Sequence, residues 1–133
     1  MFSKVDYVMV NVSERGRSVA FYRDTLGLAL KFESPGWSEF ETGATILALH
    51  AGVPAAGSER ATSGGRAAGT CSLGFSVQNL NSTYAELRER GARFVMPPTE
   101  QANEGIRLAV CIDPDGLAIS FAEPMAREAT GSA

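Results

Sequence analysis

The sequence predicts an α+β fold in which a βαβββ module is written twice, each copy building a mixed sheet, with a cup-shaped cavity between the copies. Three observations predict it. Two alternating apolar segments are each followed by a helical apolar stripe ending in glycine. Three further strand-like runs follow each helix, and turn-forming residues separate those runs. At 133 residues the chain has the length of one domain, enough to bury roughly two-thirds of its unfolded surface.

Tyr7-Val8-Met9-Val10-Asn11-Val12 alternates with period two, the pattern of a half-buried strand. Ser13 is placed to cap the helix that follows. Val19, Tyr22 and Leu26 recur at helical spacing, and Gly27 supplies a C-terminal stop. Strand signals then run from Leu28 to Glu33, from Trp37 to Glu41 and from Ala44 to His50, with Pro35-Gly36 and Thr42-Gly43 at the turns. The second copy opens on Ser72-Leu73-Gly74-Phe75-Ser76-Val77. Asn79 or Asn81 caps its helix, Leu80, Tyr84 and Leu87 form the stripe, and Gly91 ends it. Its strands are Ala92 to Met96, Ile106 to Ile112 and Leu117 to Glu123. Pro97-Pro98 is expected to end the first of these, and Asp113-Pro114-Asp115-Gly116 to turn between the other two. One module covers only one face of its sheet with its helix. Pairing two leaves the uncovered faces opposed across a cavity, which is where a ligand belongs.

The expected organisation is one domain over residues 1–124, with module one at about 4–50, a connection at about 51–70 and module two at about 71–124. Residues 125–133 are expected to form a flexible tail. The segment from Ala51 to Thr70 is rich in Ala, Gly and Ser and long for a connection in a compact domain, so it reads as a mobile linker. A lid over the cavity is its functional alternative.

Hydrophobic residues make up 44% and charged residues 20%, with a net charge of −3, an ordinary balance for a soluble globule. No basic stripe recommends a nucleic-acid partner. No apolar run approaches the roughly 20 residues of a membrane helix, and the N-terminal segment lacks a signal peptide's apolar core. A cytoplasmic location is therefore expected, with Cys71 and Cys111 reduced. Neither lies in a CxxC pair, and both read as small buried residues. No nucleophile elbow, phosphate loop or nucleotide fingerprint occurs.

Val8-x-Val10-x-Val12, Phe21-Tyr22-Arg23-Asp24-x-Leu26-Gly27-Leu28 and Asp113-Pro114-Asp115-Gly116 followed by Ile119 resemble the glyoxalase/bleomycin-resistance/extradiol-dioxygenase (vicinal oxygen chelate) superfamily. Trp37-Ser38-Glu39-Phe40 and Leu47-Ala48-Leu49 fit it too, and the likeness spans about residues 4–124. The resemblance implies the doubled fold and a homodimer. It does not fix an activity, because the family hosts lyases, ring-cleaving dioxygenases, isomerases, thiol transferases and non-catalytic antibiotic binders. Its catalytic members hold a divalent metal with His, Glu or Gln at four strand positions, which fall here on Tyr7, Ala48, Ser72 and Ser120. Alanine offers no donor and neutral hydroxyls are poor ligands, so no metal and no cofactor are expected. A displaced cluster of Glu39, Glu41 and His50, the sole histidine, is the alternative.

Strand alternation assigns the cup lining. Tyr7, Met9 and Asn11 share a face in the first strand, and Ile46, Ala48 and His50 share one in the fourth. A two-residue turn at Thr42-Gly43 would pair Glu41 with Ala44, Phe40 with Thr45, Glu39 with Ile46 and Trp37 with Ala48. That pairing brings Trp37, Glu39 and Glu41 into the cup. In the second module Ser72, Gly74, Ser76, Ala118 and Ser120 face inward. The candidate ligand-binding residues are Tyr7, Met9, Asn11, Trp37, Glu39, Ala48, His50, Ser72 and Ser120. Small residues leave volume, the rings are flat and Met9 is adaptable, while Glu39 suits a cationic or hydrogen-bond-donating group. Each also has a structural alternative: Tyr7 a core ring, Trp37 a sheet-edge or dimer contact, Glu39 a solvated edge-strand charge, His50 a surface side chain. The function predicted is metal-independent binding of a small aromatic or amphipathic molecule. The alternative is an enzyme of the same superfamily. It would be either a metal-free isomerase or lyase with Glu39 or His50 as base and Tyr7 as acid, or a metal-dependent enzyme of glyoxalase or dioxygenase type.

Overall fold

A computed structural model of the chain describes residues 1–54 and 68–125. It divides into two compact units, Met1–Ala61 and Thr62–Ala133. Most of the connection expected over residues 51–70, and the tail beyond Met125, lie outside the described residues. Among the described residues no helix is long and apolar enough to cross a membrane.

The first unit runs β1 (Tyr7–Asn11), α1 (Arg15–Ala20), a π-helical turn (Phe21–Thr25), β2 (Ala29–Glu33), β3 (Trp37–Glu41) and β4 (Ile46–His50). The sheet order is β1-β4-β3-β2, with β1 parallel to β4 and the other pairs antiparallel. Glu14, rather than Ser13, caps α1. Its carboxylate accepts from the backbone N–H of Gly16 at 2.8 Å and of Arg17 at 2.9 Å, satisfying two of the orphan donors every helix start carries. Those bonds, the one from Arg17 foremost, hold the Glu14 carboxyl below its ordinary range. The Ser13 hydroxyl instead accepts from the Arg17 guanidinium at 2.8 Å. The helical segment stops at Gly27, whose φ of 81° favours glycine. Val19 and Tyr22 are buried, as are Val10, Phe40, Leu47 and Leu49 of the sheet, and the Tyr22 and Phe40 rings are 6.0 Å apart. Ser18 and Ser38 are buried in this unit with unpartnered hydroxyls, which weaken rather than strengthen it.

The β3–β4 hairpin corrects one expectation. Its loop is the four residues Thr42 to Thr45, not the two-residue turn at Thr42-Gly43. Glu41 therefore pairs with Ile46, Glu39 with Ala48 and Trp37 with His50. Side-chain bonds hold the wider loop: Thr42 to the Thr45 carbonyl, Thr45 Oγ1 to the Val5 carbonyl at 2.9 Å and Lys4 Nζ to the Ala44 carbonyl at 3.0 Å. The pairing has moved by two residues, so every side chain keeps its expected face.

The second unit runs β5 (Leu73–Ser76), α2 (Leu80–Glu89), β6 (Arg93–Gln101), a 3₁₀ turn (Ala102–Glu104), β7 (Ile106–Ile112) and β8 (Ala118–Pro124). Its order β5-β8-β7-β6, with β5 parallel to β8, repeats the first sheet strand for strand. Asn79 caps α2, accepting from the Ser82 N–H at 3.0 Å, while the Leu80 N–H donates to Glu123 Oε1 at 2.7 Å. Leu80 and Leu87 are buried, as are Ala109, Cys111, Ile119 and Phe121 of the sheet. A ring chain crosses this core: Tyr84 to Phe94 at 4.7 Å, Phe94 to Phe121 at 6.1 Å, Phe121 to Phe75 at 5.9 Å. Pro97-Pro98 does not end β6, which continues to Gln101 with its register shifted between Met96 and Thr99. An edge strand tolerates this because prolines there need supply no ladder N–H.

Cys111 is fully buried, and burial, with the Asp113 charge second, pushes its thiol from 9.0 up to about 12. Cys71 is exposed rather than buried, because it precedes β5 instead of lying within it. Iodoacetamide at neutral pH is expected to add once to the folded chain, at Cys71, and twice after denaturation, read by mass spectrometry. The raised thiol implies stability that is complete below pH 9.0 and falls as pH climbs toward about 12. Cys111→Ala is expected to flatten that alkaline limb in denaturant titrations.

Candidate functional site

In the first unit the layer of α1 and the π-helical turn occupies one face of the sheet, through Val10, Phe40, Leu47 and Leu49. Alternation turns Tyr7, Met9 and Asn11 of β1, Trp37 and Glu39 of β3, and Ala48 and His50 of β4 to the opposite face. The register makes them neighbours: Tyr7 opposite Ile46, Met9 opposite Ala48, and Asn11 opposite His50. Across β3, Glu39 lies opposite Ala48 and Trp37 opposite His50. Seven of the nine candidate residues are thus brought onto one surface.

That surface is unusual in what it exposes. Tyr7 is 53% exposed, Met9 44% and Phe32 51%, although large apolar side chains of this kind normally seek cover. Ala48 is fully buried at the floor, between its neighbours in register. Tyr7 and Trp37 stand edge to face, ring centres 5.8 Å apart and planes at 79°. Trp37 and His50 are 6.5 Å apart at 55°. Trp37 Nε1 donates to Glu39 Oε2 at 2.8 Å, fixing both side chains. His50 Nδ1 lies 3.3 Å from Asn11 Oδ1, and Glu41 lies 3.9 Å from Lys31 Nζ.

Phe32 is a lining residue the sequence reading misses. Plain alternation from Ala29, which faces Glu41, would put Phe32 under the helix. A bulge between Leu30 and Phe32 pairs it with Glu39 instead, reversing its side. No residue type at this position announces the bulge.

Ser72 and Ser120 belong to the second unit. Ser120 lies opposite Gly74 and Val110, on the face away from buried Ile119 and Phe121, and its hydroxyl donates to the Leu73 carbonyl at 3.3 Å. A Cβ added at Gly74 would stand 3.3 Å from that hydroxyl, so the glycine leaves room for it. Ser76 and Ala118 share this face, with Ala122, Leu108, Val110 and Ile112. Ser72 lies just before β5 rather than inside it, and is exposed.

The positions where the resemblance places metal ligands do not suit a divalent ion. Ala48 has no donor, Ser72 and Ser120 offer neutral hydroxyls, and the Ser120 hydroxyl is spent on a carbonyl. The displaced cluster is not assembled either. Glu39 is held by Trp37, Glu41 neighbours Lys31 and His50 neighbours Asn11. Among the described residues no three His, Cys, Asp or Glu side chains converge.

Residues 4–121 match the family described as the Glyoxalase/Bleomycin resistance protein/Dioxygenase superfamily. The uncharacterized protein YraH of Bacillus subtilis (strain 168) is 27% identical over 117 residues, 84% of this chain and 91% of its own. Among solved structures, the chain is similar to TnmS3, an antibiotic binding protein from Streptomyces sp. CB03234. They are 26% identical with a TM-score of 0.72, covering 92% of this chain and 97% of that one. A glyoxalase/bleomycin resistance protein/dioxygenase from Nocardioides shares the fold at 23% identity and a TM-score of 0.69, covering 94% of this chain and 85% of that one.

Proposed function

The chain belongs to the Glyoxalase/Bleomycin resistance protein/Dioxygenase superfamily, and on that footing we propose that it binds a small aromatic or amphipathic molecule without using a metal. The guest lies against the helix-free face of the first sheet, on Tyr7, Met9, Trp37 and Phe32, with Ala48 as floor and Asn11, Glu39 and His50 as polar contacts. The observation that carries the reading is the exposure of Tyr7, Met9 and Phe32 on a single sheet face, apolar area that a flat guest would take out of water. The similarity to an antibiotic binding protein at 26% identity supports it. So does the donor set described above, which holds no strong metal ligand at the family's positions.

Trp37 is the only tryptophan, so its emission reports on this face alone. Titration with the neutral probe N-phenyl-1-naphthylamine is expected to change that emission saturably, with the same Kd before and after EDTA treatment. Tyr7→Ala is expected to weaken the probe about tenfold, or ~1.4 kcal/mol, through lost ring contact. A linear, unsaturable response would sink the proposal, and so would binding that disappears with EDTA and returns with added metal.

A further inference from the structure

We infer that the guest carries a cationic head, an ammonium group attached to its flat body, seated beside Glu39 in the corner made by Tyr7 and Trp37. This rests on the binding reading above and narrows the class of ligand.

Among the described residues of the first unit, every carboxylate but one has a basic partner or a capping role. Asp6 pairs with Lys4 at 3.3 Å, Asp24 with Arg23 at 2.8 Å and Glu41 with Lys31 at 3.9 Å. Glu33 pairs with Arg15, and Glu14 is used up capping α1. Glu39 is the exception. Among the described residues its side chain has one polar partner, the Trp37 indole N–H at 2.8 Å, and no basic group. It is also half-buried, whereas Asp6, Asp24 and Glu41 sit at the surface. A charge withdrawn partly from water costs free energy unless a counterion compensates it, and the described residues supply none here.

What surrounds Glu39 is suited to a cation from outside. The indole bond fixes the carboxylate beside Trp37, and the Tyr7 ring stands nearly perpendicular to the indole 5.8 Å away. A carboxylate at the N–H edge of the indole, with a second ring packed edge to face against that indole, offers an ammonium a charge partner and its flat body an aromatic surface. The neighbours in register are Phe32, Ala48 and Met9, none of them positive. A neutral guest would still lie on this apolar surface but would leave Glu39 uncompensated.

Two probes with the same ring test this: 1-naphthylmethylammonium and neutral 1-naphthylmethanol, titrated calorimetrically at pH 7. The ammonium is expected to bind about tenfold more tightly at low salt. The ratio is expected to fall severalfold in 1 M NaCl, where screening acts within about 3 Å. In Glu39→Gln, which keeps an acceptor for the indole, the ratio should drop toward one. Equal affinities in the native protein, or a ratio that survives Glu39→Gln, would overturn the inference while leaving the binding reading intact. Failure of both probes to bind would remove both. Should the variant not fold, the salt series on the native protein decides alone, a salt-independent ratio counting against the cation.

Discussion

Replacing Phe40 with alanine is expected to cost about 3–5 kcal/mol of folding free energy. Phe40 is fully buried. It sits in β3 between Leu30 and Leu47 in register, and its ring meets Tyr22 at 6.0 Å. Alanine would lose the burial of the whole ring and leave a void between sheet and helix that close-packed neighbours fill only in part. Domains of this size commonly hold about 5–15 kcal/mol in total, so the variant should unfold at far lower urea than the native chain. Phe40→Leu, which keeps most of the volume, should cost less than half as much. A Phe40→Ala loss under 1 kcal/mol in equilibrium denaturation would show that this core is not packed as described.

Asp113→Ala is expected to cost about 2–4 kcal/mol by leaving two turn N–H groups without their acceptor. Asp113 is 3% exposed. Its Oδ1 accepts from Asp115 N and Leu117 N, both at 2.8 Å. Its own backbone closes the same turn, donating to the Leu117 carbonyl at 2.9 Å and accepting from Gly116 N at 2.9 Å. Gly116 has a φ of 90° that other residues resist. The side chain thus templates a turn that joins β7 to β8, the central strands of the second sheet. Asp113→Asn retains one carbonyl oxygen and should recover most of the loss. If Asn and Ala prove equally damaging, the acceptor role assigned to Oδ1 is wrong.

Much of this architecture is legible in the sequence because its signals are local. The alternation of Tyr7 to Val12 and the helical spacing of Val19 and Tyr22 specify elements without reference to distant residues. The second copy repeats both, and that repetition carries the identical strand order of the two sheets. What the sequence hides depends on competition between neighbours. Ser13 is a better cap by residue type, yet Glu14 has two oxygens and reaches both Gly16 and Arg17. Thr42-Gly43 looks like a tight turn, yet bonds from Thr42, Thr45 and Lys4 hold a longer loop. Pro97-Pro98 reads as a break, yet β6 is an edge strand and has no ladder to lose on its open side. For the candidate site, face assignment survives these errors and reaches seven residues. Phe32 is missed because a bulge is a pairing between strands, invisible along one of them.

The four-residue loop between β3 and β4 marks where this segment can change length during evolution. Residues lost or gained within the loop itself leave Trp37 opposite His50, because hairpin loops of two to five residues can all close the same pair of strands. A residue lost from within β3 instead would send Trp37 and Glu39 under the helix, unless a second bulge like that before Phe32 absorbed the slip. Descendants of this fold are therefore free to lengthen or trim the hairpin tip, while a length change inside the strand must arrive together with a compensating irregularity.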